Sequence, residues 1–388
     1  MEYDNIRPSD FEQGPIRPPS EARSLLLRVT RNCPWNRCTF CRTYKGTRFS
    51  LRDIGEVKAD IDAMAEIAER IRQVSWRMGH GGLVNEEVVR GVHRSPEGSS
   101  LHVQSVLLWL YHGGKTVFLQ DANSPVIKTS DLVEILQYLL SRFPSIQRIT
   151  SYARSHTIAR KSLEDLQALR AAGLNRIHIG LESGCDAVLA MVRKGVRAED
   201  HVIAGLRVKA AGMELSEYVI LGLGGRVLWR EHARDTARVL TRIDPHFIRV
   251  RTLAVPPAAE LNRQVAAGEF QMMSDDEIVE EERLLVESLG EVHSHFVSDH
   301  ILNLLEEVEG VLPGDRDRML AVIDRYRALS DEQRRHYKVG RRTGRYRSLG
   351  DMENQAMHLE VERIRLRLEQ LGSGWLENDL KVLMAGYI

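Results

Sequence analysis

Six short β-type runs, each but the last followed by a helical segment, constrain this chain's fold more than any other feature. The runs lie at 24–29, 116–119, 148–151, 176–181, 217–221 and 247–253. Helical stretches separate them, from Ser50 to Gln73 and over 130–142, 162–173, 198–211 and 231–243. Strands alternating with helices at such short intervals pair in parallel with right-handed crossovers, since a parallel return needs a crossing element. In such a fold ligands gather at the carboxyl ends of the strands, so the loops after them are where function is expected. Local signals mark the helix ends. Ser50-Leu-Arg-Asp53 and Ser274-Asp-Asp-Glu277 have capping-box spacing, Ser162-Leu-Glu-Asp165 opens another helix, and Gly173 and Gly212 close theirs.

Outside this alternation the texture changes. Residues 1–22 read as an extended arm, because Pro8, Pro15, Pro18 and Pro19 deny it helix and central strand alike. Residues 74–114 hold Gly-His-Gly-Gly, the turn cluster Ser-Pro-Glu-Gly-Ser-Ser and an amphipathic run over 103–111; they read as an insertion or small lid. From Pro256 onward only helical patterns are expected, over 275–295, 299–309, 315–329 and 351–371. In the last, Met357, Val361, Ile364, Leu368 and Leu371 make a helical stripe for packing within the chain or, alternatively, a dimer seam. The expected division is an arm (1–22), an α/β domain (23–262) and an all-helical C-terminal domain (263–388), which 388 residues accommodate.

The first β run leads into Leu27-Arg-Val-Thr-Arg-Asn-Cys33-Pro-Trp-Asn-Arg-Cys38-Thr-Phe-Cys41. Three of the four cysteines fall in this loop, which is no disulfide framework. Closely spaced thiolates suit an iron–sulfur cube, leaving one iron open for chemistry; they also suit three of the four ligands of a structural zinc. An iron–sulfur reading calls for a reducing compartment, and the absence of a signal-like segment or an apolar membrane run makes a cytoplasmic protein the expectation. With 54 basic and 54 acidic residues, the overall charge balance calls for neither nucleic acid nor an anionic membrane.

The Cys-x4-Cys-x2-Cys run, with Phe40 before its last cysteine, resembles the cluster loop of the radical S-adenosylmethionine (SAM) superfamily. The usual spacing there is one residue shorter in the first gap. Gly180-Leu-Glu-Ser-Gly184 at the fourth β run is similar to a motif of the branch containing the Elongator catalytic subunit, methylthiotransferases and anaerobic coproporphyrinogen oxidase. The resemblance implies an α/β fold, a partial (β/α)6 TIM barrel. It further implies a 4Fe-4S cluster on Cys33, Cys38 and Cys41, and oxygen sensitivity. SAM cleaved there would give a 5′-deoxyadenosyl radical that abstracts hydrogen from substrate, with electrons from a donor such as flavodoxin or ferredoxin.

The same resemblance assigns cofactor residues. Phe40 lies beside the cluster, and Gln120, Asp121 and Asn123 occupy the place of the segment holding the SAM amino group. The alternative for these three is a polar turn that bonds its own backbone. Glu182 is the expected ribose ligand and Lys194 the carboxylate partner. Tyr218, Leu221, Gly222 and Val255 are placed near adenine, with Ser151 and Arg154 completing the ring. Cys185 reads as a small buried hydrophobe or a thiol near the cofactor, and His293, His295 and His300 as solvated or capping residues. The basic segment 334–347 either pairs with the acidic helix at 275–282 or holds an anionic substrate, with Arg341 and Arg342 as candidate ligands at the barrel mouth. The substrate stays open: a small molecule, as in a coproporphyrinogen oxidase-like enzyme, or RNA. The rival reading is a non-catalytic iron–sulfur or zinc protein that binds RNA through the basic segment.

Overall fold

The computed structural model describes residues 10–96 and 98–370, so Pro8, Glu97 and Leu371 lie outside the described residues. Residues 10–36, 43–179 and 207–214 form one compact unit; residues 37–42, 180–206 and 215–370 form another.

The first unit begins with β1 (Leu25–Leu27), β2 (Thr30–Arg31) and β3 (Ser50–Leu51), followed by α1 (Ile54–Arg77), α2 (Glu86–His93) and α3 (Leu101–Tyr111). Then come β4 (Thr116–Leu119), α4 (Thr129–Arg142), β5 (Arg148–Ala153), α5 (Ser155–Ile158), α6 (Leu163–Ala171) and β6 (Leu174–Glu182). β1, β4, β5 and β6 pair in parallel, whereas β2 and β3 form a small antiparallel pair. Val57, Ile61, Met64, Ala68 and Ile71 recur at helical spacing on α1 and are wholly buried. The larger of these side chains each stabilise the fold by about 1.5–3 kcal/mol.

The path continues through α7 (Asp186–Met191), α8 (Ala198–Ala210), β7 (Glu214–Leu221), α9 (Gly225–Ile243), β8 (Phe247–Thr252), α10 (Leu261–Ala266) and α11 (Asp275–Ser288). It ends with β9 (His295–Val297), β10 (Gly310–Val311), α12 (Arg316–Arg327), α13 (Asp331–Arg342) and α14 (Gln355–Gln370). The main sheet has eight strands in the order β1-β4-β5-β6-β7-β8-β9-β10. All six expected strands are present, so the fold is mixed α/β of the partial-barrel kind. In the β7–β8 ladder Tyr218 faces Arg249 and Ile220 faces Arg251, while Glu217 faces Ile248 and Val219 faces Val250. Partners in a parallel ladder share a face; one face here is polar and the other mainly apolar.

Four expectations are corrected. Asp53, not Ser50, caps α1 by accepting from Gly55 N, because Ser50 is drawn into β3. The insertion is not a separate lid from residue 74: α1 runs on to Arg77, and α2 and α3 pack against it. The C-terminal region is not all-helical. Helix α11 stops at Ser288, because residues 295–297 extend the sheet as β9, parallel to β8, and β10 pairs antiparallel with β9. Residues 299–309, expected helical, form turns instead. There Asn303 Nδ2 donates to Val250 O (2.9 Å) and Ser298 Oγ (3.1 Å), taking the place of a helical ladder. In α14 Val361 is buried and Met357, Ile364 and Leu368 are half-buried, and the helix packs on α13.

Candidate active site

In the first unit, the start of the thiol loop is anchored by Asp121. Its carboxylate is fully buried and accepts from Arg28 Nε (2.7 Å), Tyr44 Oη (2.8 Å) and Asn32 N (3.1 Å). Burial and then the Asp121 charge hold the Tyr44 hydroxyl well above its usual pKa, so it stays a donor. Asn32 (φ 70) and Asn36 (φ 47) supply left-handed backbone on either side of Cys33, a conformation asparagine tolerates better than most residues. Asn36 N approaches Cys33 Sγ at 3.4 Å. The arm closes over this base: Glu12 accepts from Arg28 and Arg31 at 2.8 Å, and Gly14 exchanges two hydrogen bonds with Gln120, at 2.8 and 2.9 Å.

The three polar residues assigned to the SAM amino group are therefore engaged internally. Asp121 holds the loop, Gln120 holds the arm, and Asn123 donates to Thr157 Oγ1 (2.8 Å) and accepts from Arg154 N (3.0 Å). Their partners are distant in the chain, not the turn's own backbone. Ser151 is buried and donates to Tyr152 O (2.9 Å); the Arg154 guanidinium stacks over Trp35, 5.0 Å from the ring centroid.

In the second unit, Thr39 N donates to Val192 O (3.0 Å) and Thr39 O accepts from Leu261 N (2.9 Å), fixing the segment with Cys38 and Cys41. Phe40, Ile220 and Val255 pack on an apolar cluster that contains Cys185, Val188, Val192, Leu253 and Leu261. Burial raises the Cys185 thiol pKa, and the residue is part of this core. Strand alternation gives Ile220 the face of Tyr218, whereas the assigned Leu221 lies on the opposite, apolar face. Tyr218 is buried beneath the Arg251 guanidinium, 4.7 Å from its ring centroid.

Glu182 ends β6 with φ 64, an uncommon conformation for glutamate, and its carboxylate takes a hydrogen bond from Lys194 Nζ at 2.8 Å. The carboxylate folds back over Gly180: a Cβ added there would stand 2.2 Å from Glu182 Oε1 and 3.1 Å from Lys194 Nζ. Glycine leaves the space this ion pair fills. Two residues outside the sequence reading hold this turn. His232 Nε2 lies 3.2 Å from Glu182 O, and its Nδ1 lies 2.5 Å from Glu281 Oε1; Glu281 Oε2 accepts from Gly222 N at 2.5 Å. Since both ring nitrogens face oxygens, His232 and Glu281 share a proton that lets each contact be a hydrogen bond. No local pattern announces the pair, since it links helices 49 residues apart.

Glu217 was also missed, although a glutamate inside the run Leu215-Ser-Glu-Tyr-Val219 was a visible signal. It is wholly buried, and neither carboxylate oxygen has a hydrogen-bond partner among the described residues. Burial, then the Glu182 charge, raises its pKa well above the usual carboxylate value, with Lys194 opposing, which favours the neutral form.

Arg341 and Arg342 are buried and spent on structure. Arg341 donates to Leu304 O, Asn303 O and Tyr346 O, each at 2.9 Å; Arg342 donates to Leu302 O (2.8 Å) and Asp275 Oδ1 (2.6 Å). Their expected role at the mouth is corrected to that of braces for the loop after β9, a loop that reaches Thr252 at the carboxyl end of β8. Lys338, Arg345 and Arg347 pair with Asp276, Glu360 and Glu306.

Cys33, Cys38 and Cys41 are half-buried and none forms a disulfide. Among the described residues, no three cysteine, histidine or acidic side chains converge into a preformed metal cage. Three reduced thiols on irregular backbone nevertheless fit a cluster that brings its own geometry. The Glu182–Lys194 pair over Gly180 likewise fits a ribose diol, which a carboxylate accepts from.

The family that matches is the radical SAM superfamily, over residues 27–237. The chain belongs to this superfamily, covered over more than half its length, and membership makes it an enzyme whose cofactors are SAM and a [4Fe-4S] cluster. Solved structures similar to it include the cobalamin-dependent SAM radical enzyme OxsB (14% identity, 95% of this chain and 59% of that chain, TM-score 0.45). Others are Elp3 of Methanocaldococcus infernus (14%, 61% and 53%, 0.39) and the coproporphyrinogen III oxidase HemN of Escherichia coli (16%, 68% and 50%, 0.40). The chain spans no more than about three fifths of these structures. No curated protein matches it at a significant level.

Proposed function

We propose that this enzyme makes a radical on a small-molecule substrate by hydrogen abstraction, with its cluster reduced by a one-electron donor protein such as flavodoxin or ferredoxin. The observation that carries this reading is the Glu182–Lys194 pair folded over Gly180 at the end of β6, in a chain whose thiol loop resembles that of the superfamily and whose residues 27–237 match it. When bound, the cluster and SAM supply a 5′-deoxyadenosyl radical. Cys33, Cys38 and Cys41 would hold the cluster. Glu182 would accept from the ribose hydroxyls, kept in place by His232 and Glu281 through the backbone, and Lys194 would meet the methionine carboxylate. Phe40, Ile220 and Val255 would give an apolar wall that excludes water from a radical.

A small molecule is favoured over RNA because the basic segment is largely neutralised by its own acids and carbonyls. The three reduced thiols support a reducing compartment such as the cytoplasm. Among the described residues, no helix is long and apolar enough to cross a membrane.

Anaerobic reconstitution with iron and sulfide, followed by dithionite and SAM, tests the reading through 5′-deoxyadenosine formation. Cys38→Ala should abolish it together with the cluster absorbance. A wild-type protein that takes up one zinc per chain, assembles no iron cluster and makes no 5′-deoxyadenosine would refute the reading.

A further inference from the structure

The first gap of the thiol loop, Cys33-Pro-Trp-Asn-Arg-Cys38, is one residue longer than the spacing it resembles. The extra length is taken up at Asn36, whose left-handed backbone (φ 47) folds the chain back until its own N–H stands 3.4 Å from Cys33 Sγ. Both asparagines flanking Cys33 hook onto the turn at 44–48. Asn32 Nδ2 donates to Arg48 O (2.6 Å), and Asn36 Nδ2 donates to Tyr44 O (2.5 Å) and Thr47 O (3.3 Å). That turn is itself tied down: Thr47 Oγ1 and Thr47 N both donate to Tyr44 O (2.7 and 3.1 Å), and Tyr44 donates to the buried Asp121. Lys45 Nζ returns a hydrogen bond to Asn36 O at 3.0 Å, which places an ammonium in the same turn as the N–H that meets Cys33. Asn36 is thus pinned at its side chain and at its carbonyl, in a conformation that asparagine tolerates and alanine disfavours.

We propose that Asn36 is a positioning residue for the cluster: its left-handed backbone aims an N–H at the Cys33 sulfur and, with Lys45, biases the cluster toward its reduced state. One-electron reduction adds negative charge to the cluster and its thiolates, and a hydrogen-bond donor or a cation beside a ligating sulfur favours the more negative form. The electron is the one delivered by the donor protein of the reading above. The proposal rests on that reading and deepens it, because it gives the longer gap a role in setting the potential at which the donor must deliver. The backbone conformation carries the effect, and the asparagine side chain holds that conformation. Glycine should therefore stand in for asparagine here, since it keeps the N–H, keeps the carbonyl that Lys45 meets and adopts positive φ freely.

The test is a spectroelectrochemical titration of the reconstituted, anaerobic holoprotein, with the iron content of each variant measured alongside. In Asn36→Ala the reduction equilibrium should fall roughly tenfold, a potential lower by about 59 mV for one electron. Asn36→Gly, which loses the same side-chain hydrogen bonds, should stay within twofold of wild type. Equal potentials in all three proteins overturn the proposal. So does a loss of potential or of iron in Asn36→Gly matching that in Asn36→Ala, because the side-chain clamp alone would then account for the effect. If Asn36→Ala takes up no iron while Asn36→Gly does, Lys45 decides, since its substitution leaves the backbone of the loop in place. Lys45→Met should lower the equilibrium roughly tenfold and Lys45→Arg should match wild type; equal potentials in these two overturn the proposal. The wild-type preparation separates the two readings. If it assembles no cluster, the enzyme reading fails and this one with it; if it assembles a cluster and forms 5′-deoxyadenosine while its potential ignores these substitutions, this one alone fails.

Discussion

Adding one methyl group at Gly180 should disable SAM binding without harming the fold. In Gly180→Ala the new Cβ would stand 2.2 Å from Glu182 Oε1, against an ordinary contact of 3.4 Å or more, so the oxygen must retreat by about 1.2 Å (3.4 less 2.2). The colliding atom ends a flexible side chain and Gly180 is not in the left-handed region, so rotating the carboxylate relieves the clash without unfolding. The unfolded chain even loses entropy in alanine's favour, by about 0.4–1 kcal/mol. Rotation breaks the 2.8 Å contact with Lys194 and turns the ribose acceptor away. Hydrogen bonds to a charged group contribute about 1.5–3 kcal/mol, so SAM affinity should fall roughly tenfold to a hundredfold. Calorimetry with SAM on reconstituted protein measures this, with iron content and thermal midpoint as controls. Glu182→Ala should show a similar loss, and the double variant should lose little more than either single one, because both remove the same interaction. SAM binding within twofold of wild type in Gly180→Ala, or full additivity with Glu182→Ala, would refute the reasoning.

Three further outcomes follow from the same contacts. Asp121→Asn removes a buried charge from Arg28 and Tyr44 and should cost about 3–5 kcal/mol of stability, with iron lost faster to a chelator; urea unfolding and a timed chelator challenge check it. Glu282, raised to about 8 by burial and then by the Glu281 charge, keeps its proton in the folded state where the unfolded carboxyl, near 4.5, has released it. Its contribution is therefore complete below pH 4.5 and is lost as pH rises toward 8, with a slope of at most about 1.4 kcal/mol per pH unit; unfolding at pH 6, 7 and 8 should show a fall in stability that Glu282→Gln flattens. Arg341→Ala takes a donor from three backbone carbonyls, of which Leu304 O keeps Tyr337 Oη, and should lower stability by roughly 2–5 kcal/mol, whereas exposed Arg335→Ala should change the unfolding midpoint little.

The alternation of β runs and helices was legible because each element buries one side, and burial imposes a period that survives in the sequence. The thiols and Gly180-Leu-Glu-Ser-Gly184 were legible because their chemistry is carried by adjacent residues. Strand β9 was not. Three residues, His295 to Val297, are too few for a period, and only β8 and β10 on either side give them partners. Ser50 misled for a related reason: its capping spacing was real, but pairing with β2 satisfied its backbone first. The His232–Glu281 pair and the anchoring role of Asp121 depend on partners tens of residues away, which no local window contains.

The arginines show where such reading goes astray and how it can be improved. A dense basic run such as 334–347 draws attention because the charges are consecutive, yet on α13 that density meets the acids of α11 and the carbonyls of the loop after β9, and two of its charges become internal struts. Arg249 and Arg251 are only two, and they stand in a strand that is otherwise mostly apolar. Their spacing of two is the informative quantity, because strand periodicity places both on one face while Ile248 and Val250 take the other. Arg249 reaches Asp299 at 3.3 Å, and the Arg251 guanidinium covers the Tyr218 ring. Charge kept in a strand at period two thus marks one face of the sheet, whereas charge massed on α13 is met by neighbouring acids and carbonyls.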